Sequence, residues 1–147
     1  GEPFVGNAGK LLDNLLRSIN MPRESVYITN VVHHRPPENR DPLPEEISAY
    51  GKYLDEIIRI IKPKVIVTLG RFSMGKFLPG AKISGVHGKK FDLIWEGKSI
   101  IIVPMYHPAA ALRRGEVMQQ IKNDFLKLPT YLKEIESKIE VEQTQLF

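Results

Sequence analysis

The stretch at residues 99–114, Ser-Ile-Ile-Ile-Val-Pro-Met-Tyr-His-Pro-Ala-Ala-Ala-Leu-Arg-Arg, constrains the fold more than any other. Ile100, Ile101, Ile102 and Val103 form a β-branched, wholly apolar run, the pattern of a strand covered on both faces, and Pro104 is expected to end it. A strand buried on both sides belongs to an α/β protein with helices above and below its sheet. His107 then stands just beyond the carboxyl end of a buried strand. Open α/β sheets bind their ligands there, so a titratable group at that place suggests function. The competing reading is a loop histidine that caps a carbonyl. Residues 108–112 carry no large polar side chain, which sets the imidazole at the rim of a small, tight-walled surface.

The rest of the chain supplies the layers. The first nine residues, with three glycines and a proline, read as an irregular loop that could hold an anion on its amides. Leu11, Leu12, Leu15, Leu16 and Ile19 fall at helical spacing and predict a helix after it. Residues 26–32 predict a second buried strand, interrupted by Asn30, and residues 33–44 a charged, proline-rich loop. Glu45 and Glu46 behind Pro44 mark a helix start, with Leu54, Ile57, Ile58 and Ile61 on its buried face. Residues 65–69 predict a third strand closed by Gly70, and residues 71–78 a short helix. Residues 91–95 and 98–103 predict a hairpin turning at Glu96 and Gly97. Residues 117–128 predict a terminal helix stopped by Pro129, and residues 133–142 a charged helix or a solvated tail. The expected architecture is a three-layer α/β/α domain over residues 1–132 with a short parallel sheet, followed by a charged tail over residues 133–147. Three strands suited to parallel pairing are fewer than such sheets usually hold, so an N-terminal strand is expected to be missing and Gly1 not to be the natural start.

Composition narrows the function classes. At 147 residues the chain is about one domain. It has no cysteine, which excludes disulfides, thiolate metal sites and iron–sulfur ligation by its own residues. No apolar run approaches the ~18 residues of a membrane span, and no export leader precedes the domain, so a cytoplasmic protein without membrane attachment is expected. Twenty-one Lys and Arg against seventeen Asp and Glu leave a net charge of +4, mildly favouring a polyanionic partner.

Two further residues ask for a ligand. Phe4 lies in the opening loop, as a core plug or a stacking platform for a flat molecule. Asn30 carries both a donor and an acceptor, fit for a turn bond or for reading a polar edge. With these in view, Gly-Glu-Pro-Phe-Val-Gly-Asn-Ala-Gly at residues 1–9, Val-Tyr-Ile-Thr-Asn-Val-Val-His-His-Arg-Pro-Pro-Glu-Asn-Arg-Asp-Pro at residues 26–42, Val-Ile-Val-Thr-Leu-Gly at residues 65–70 and Tyr-His-Pro-Ala-Ala-Ala-Leu-Arg at residues 106–113 resemble, in order and spacing, the family 4 uracil-DNA glycosylases. The resemblance runs from Gly1 to about Leu128. It implies that Phe4 stacks on a flipped uracil, that Asn30 reads its polar edge, and that His107 contacts carbonyl oxygen O2 and is catalytic. The chemistry agrees: uracil offers a flat face and adjacent acceptor and donor atoms, and a donor at O2 would stabilise the departing anion. Residues 108–114 are then expected to form a loop that enters the duplex, with Leu112 as the wedge. Arg113 and Arg114, together with Arg35, Arg40, Lys89 and Lys90, are expected to meet phosphates.

The chain also departs from the family. An earlier Gly-Glu-Ala-Pro-Gly-like motif, which would supply a carboxylate to the water, is not among these residues, and Glu2 belongs to the later motif. The family's iron–sulfur cluster uses four cysteines, two of which correspond to His34 and Tyr50, so no cofactor is expected. His33 and His34 are adjacent, and adjacent side chains in a strand point apart, which disfavours a metal pair. The closing Gln143, Leu146 and Phe147 resemble a sliding-clamp docking peptide. The expected function is therefore a monomeric, nucleoid-associated prokaryotic uracil-DNA glycosylase of base excision repair. The alternatives are a non-catalytic uracil- or DNA-binding remnant and a flavodoxin-like nucleotide-binding domain, the latter leaving Phe4, Asn30 and His107 together unexplained.

Overall fold

The computed structural model describes residues 6–29 and 43–145. Its centre is the expected strand, β3 (Lys98–Met105), flanked by β1 (Val65–Leu69) in parallel and β2 (Phe91–Trp95) in antiparallel pairing, in the order β1-β3-β2. Register sets Val65 beside Ile101 and Leu69 beside Met105, so β1 and β3 end together. The sheet is thus mixed, with parallel pairing at its core.

β3 continues through Pro104, where the sequence suggested a stop. Ile101 donates to the Lys64 carbonyl at 3.0 Å and the Met105 carbonyl accepts from Gly70 at 2.9 Å, so odd-numbered residues of β3 face β1. Pro104 therefore turns its nitrogen toward the β2 side, and β2 pairs only as far as Ile102. No ladder bond is lost, which is the condition under which a strand tolerates proline. The Pro104 carbonyl on that side accepts from Gly88 at 2.7 Å.

Two sets of helices use the two faces of the sheet. Val65, Val67 and Leu69 of β1 and Ile101, Val103 and Met105 of β3 join one core with α1 (Gly6–Ser18), α5 (Pro108–Arg113) and α6 (Gly115–Gln145). α1 contributes Leu12, Leu15 and Leu16, and α6 contributes Val117, Ile121, Phe125 and Leu128, all buried at helical spacing. α1 begins at Gly6, inside the stretch expected to be irregular, and this added turn buries Gly9 alongside Leu12, Leu15 and Leu16. By alternation Ile100, Ile102 and Thr68 face the other way, the side of α2 (Pro44–Ile61) and α3 (Arg71–Phe77), whose Leu54, Ile58 and Met74 are buried. Leu43 donates its amide to the Glu46 carboxylate at 2.9 Å and starts α2, while Lys62 closes it in the left-handed region at φ 53°. Lys76 ties α3 to α2 by its 2.7 Å ion pair with Asp55, and the one-turn α4 (Ile83–Val86) follows before β2.

Three other expectations change. Residues 26–29 of the expected second strand form no strand, although Val26 is extended and it and Ile28 pack against the core; residues 30–32 lie outside the described residues. Residues 108–113 are the helix α5 rather than a loop, since proline suits a first helical position and alanine has the highest helix propensity. α6 runs on through Pro129, joining the expected terminal helix to the charged segment. Contacts beyond the proline hold it there: the Tyr131 hydroxyl donates to the Gly88 carbonyl at 2.7 Å, and Glu134 pairs with Lys90 at 2.9 Å. Among the described residues no helix is long and apolar enough to cross a membrane.

Candidate active site

β1 and β3 run parallel and stop level, so their carboxyl ends deliver Gly70 and His107 to one place. Gly70 has φ 91° and ψ 175°, a backbone conformation that is essentially glycine's alone. A Cβ built on it would lie 3.2 Å from the His107 Cβ and 3.5 Å from Cδ2, so the bare backbone of Gly70 is the wall against which the histidine stands. Gly70 was legible as the end of a strand, and its role as this wall was not.

His107 is the N-cap of α5, and its Nδ1 accepts a hydrogen bond from the Ala109 amide at 3.0 Å. An N-cap needs a side-chain acceptor, the part usually taken by Ser, Thr, Asp or Asn. An imidazole can take it only with a lone pair on Nδ1, and in the neutral ring that places the proton on Nε2. Burial holds the His107 pKa below its ordinary 6.5, and the nearby Arg113 charge lowers it further. Protonating Nδ1 would also set its N–H against the Ala109 N–H. Both effects favour the neutral ring, and the cap favours the tautomer with its proton on Nε2.

α5 divides its side chains cleanly. Pro108 and Ala111 are buried, while Leu112 is 47% exposed and Arg113 and Arg114 are exposed. The expected wedge and two of the expected phosphate contacts therefore lie on or at the end of the short helix that His107 caps, and Arg114 faces Glu116 at 3.9 Å. Lys89 and Lys90 lie on the turn that Gly88 fastens to the end of β3. Lys89 is exposed, whereas Lys90 pairs with Glu134 and lies 5.8 Å from the Tyr131 ring centroid. Phe4, Asn30, Arg35, Arg40, Leu146 and Phe147 lie outside the described residues, and Gln143 falls in the last turn of α6.

A second histidine was missed. His87 Nδ1 lies 2.7 Å from Oδ2 of Asp124, a carboxylate on α6 that is 2% exposed as a residue. The His87 ring packs on Tyr106, the neighbour of His107, with centroids 4.9 Å apart. A sequence signal for Asp124 existed: it falls on the apolar stripe of Ile121, Phe125 and Leu128, where a charge needs a partner. Among the described residues no group of three or more His, Asp and Glu side chains could hold a metal ion.

Comparison with known proteins places this geometry. The uracil DNA glycosylase superfamily model matches residues 1–133. The chain belongs to that superfamily. It is 47% identical over 133 residues to the type-4 uracil-DNA glycosylase of Archaeoglobus fulgidus, covering 87% of this chain and 67% of that protein. It is 46% identical over 136 residues to the type-4 enzyme of Sulfurisphaera tokodaii, covering 87% of this chain and 61% of the relative. Against the type-4 enzyme of Thermotoga maritima it is 44% identical over 137 residues, 90% of this chain and 70% of the relative. The chain thus spans roughly two thirds of the length of the glycosylases it matches. Helices around a small mixed sheet with parallel pairing agree with an α/β glycosylase-like fold.

Proposed function

We propose that this chain removes uracil from DNA, acting on a deoxyuridine flipped out of the duplex, with His107 as the donor that stabilises the leaving base. The single observation that carries the reading is the geometry of His107: its Nδ1 accepts from the Ala109 amide, which leaves Nε2 as the nitrogen to carry the proton, at the carboxyl end of the parallel β1–β3 pair. When the bond between C1′ and N1 breaks, its electron pair passes to the uracil ring and much of the charge reaches O2. A neutral N–H held in place stabilises that charge as it develops, without any rearrangement at the moment of reaction. Water supplies the hydroxyl group to C1′ and gives up a proton.

The resemblance assigns stacking on uracil to Phe4 and hydrogen bonding to its edge to Asn30. Cytosine would offer a donor where uracil offers an acceptor, and each polar group left unpaired costs about 1–3 kcal/mol. Leu112 fills the gap left in the stack, and Arg113, Arg114, Lys89, Arg35 and Arg40 neutralise phosphates, with Lys90 doing so once it leaves Glu134. These 147 residues hold no cysteine to ligate an iron–sulfur cluster, and His34 and Tyr50, where the resemblance would put two of the ligands, are not thiolates. Gln143, Leu146 and Phe147 dock the domain on a sliding clamp. The protein works as a monomer on the nucleoid in a prokaryotic cytoplasm.

The test is a single-turnover assay with excess protein on a labelled uracil-containing oligonucleotide, scored by alkaline cleavage of the abasic product. Product is expected from the parent, falling by about 10²–10³ in His107→Ala, the usual loss for one donor to a developing anion. A parent that yields no product and binds DNA without regard to uracil overturns the proposal.

A further inference from the structure

We propose that His87, held by Asp124, is a positioning residue for His107. This rests on His107 acting as the donor to the leaving base. The contacts form one chain from α6 to the active site. The buried Asp124 carboxylate takes the His87 Nδ1–H on Oδ2 at 2.7 Å, with the Lys127 ammonium 3.5 Å from its Oδ1. The same carboxylate presses on Gly88, where a Cβ would come within 2.1 Å of Oδ1. Gly88 in turn binds both sides: its amide donates to the Pro104 carbonyl at 2.7 Å, and its carbonyl accepts from the Tyr131 hydroxyl at 2.7 Å.

The turn carrying His87 is therefore sewn to the last residues of β3 and to α6 at once. What it supports is the ring of Tyr106, tilted 41° to the imidazole of His87. Tyr106 is the last residue before His107, between the end of β3 and the first turn of α5. A shift of Tyr106 would change the backbone entry into α5, and with it the N-cap bond that fixes the His107 tautomer. A buried carboxylate behind a histidine fixes which of its nitrogens carries the proton and how its ring lies. Here that fixed ring serves as the backing for a second histidine.

Three variants of the full chain separate this role from simple stability. His87→Ala removes the ring. Asp124→Leu keeps the bulk of the side chain but releases the ring, and Asp124→Asn keeps an oxygen that can accept from Nδ1–H. Two quantities are read: the single-turnover cleavage rate at saturating protein together with its half-saturation point, and the His107 tautomer by long-range proton–nitrogen NMR of the imidazoles. His87→Ala and Asp124→Leu are expected to lower the saturated rate by about 10- to 100-fold, the scale set by a displacement approaching 1 Å. Half-saturation should stay within about twofold, His107 should become a tautomer mixture, and Asp124→Asn should restore both rate and spectrum. Unchanged His107 spectra and saturated rates in all three variants overturn the proposal. So does a rate that falls only in step with the folded fraction. If His87→Ala does not fold, the Leu and Asn variants at Asp124 decide by the same readouts. A parent that releases no uracil overturns the chemistry assigned to His107, and the NMR comparison still decides whether His87 positions it.

Discussion

Replacing Gly70 by alanine tests whether the placement of His107 matters, because the perturbation and its size can both be read from the structure. The new methyl would sit 3.2 Å from the His107 Cβ, tighter than carbon atoms usually approach, so the histidine must yield by a few tenths of an ångström. If a misplacement of 1 Å costs about 100-fold in rate, a logarithmic share for roughly 0.4 Å is about sixfold. Stability changes separately. With φ 91° and ψ 175°, alanine at this position costs of order 1–3 kcal/mol, or roughly 2–12 °C in Tm for a domain of this size. Gly97→Ala is the control: its φ is also positive, at 78°, but no atom lies within 4 Å of the added Cβ. Both variants would be melted first and then assayed in single turnover well below the lower Tm. Gly97→Ala should cleave at the parent's rate while Gly70→Ala is about sixfold slower at saturation. Equal rates in the two, with Gly70→Ala folded, would falsify the claim that catalysis depends on His107 standing against this backbone.

Three other outcomes follow from the same contacts. Because burial, assisted by Arg113, holds the His107 pKa below 6.5, the active neutral form should persist beneath that pH, and the acid limb of the cleavage rate should lie below it. In stability the sign is the same: the unfolded histidine protonates first as pH falls through about 6.5, so this contribution is complete above 6.5 and is lost between there and the folded pKa; a His107→Ala chain whose denaturant midpoint shows the parent's pH dependence would contradict it. Gly88→Ala should cost about 3–5 kcal/mol in urea unfolding, combining left-handed backbone strain at φ 75° with loss of a hydrogen bond to the buried Asp124 carboxylate, and a loss no larger than that of Gly97→Ala would show that the carboxylate has room to move. Thr68 is 2% exposed and its hydroxyl makes no hydrogen bond among the described residues, so Thr68→Val should raise stability by about 1 kcal/mol; a drop in Tm would reveal a partner for that oxygen.

The sequence disclosed those parts of the fold that depend on local pattern. The buried β3 strand, the hairpin around Glu96 and Gly97 and the helices α2 and α3 follow from runs and spacings that burial imposes on any chain. The errors arose where tertiary contacts outweighed residue type. Pro104 and Pro129 both read as stops, yet one points its missing donor away from any ladder and the other lies in a helix fastened beyond it by Tyr131 and Glu134. α5 was hidden because six residues cannot show a helical period, although Pro108 and three alanines are sound helix-starting chemistry.

The candidate site was legible only to one shell of contacts. His107 announced itself by its place after a buried strand, and its ring does cap, but it takes an amide where the competing reading expected a carbonyl. The two roles depend on each other. Capping through Nδ1 is what favours the proton on Nε2, and a proton on Nε2 is what the proposed contact with a departing uracil anion needs. What the sequence could not show is the support behind that ring, since Gly70 lies 37 residues before His107 and His87 lies 37 before Asp124, separations that only the pairing of β1 with β3 and the return of α6 bring together. Asp124 on an apolar stripe was the one outward sign. A charge at a core position needs a partner, and its partner here is the histidine whose ring stacks beside the active site.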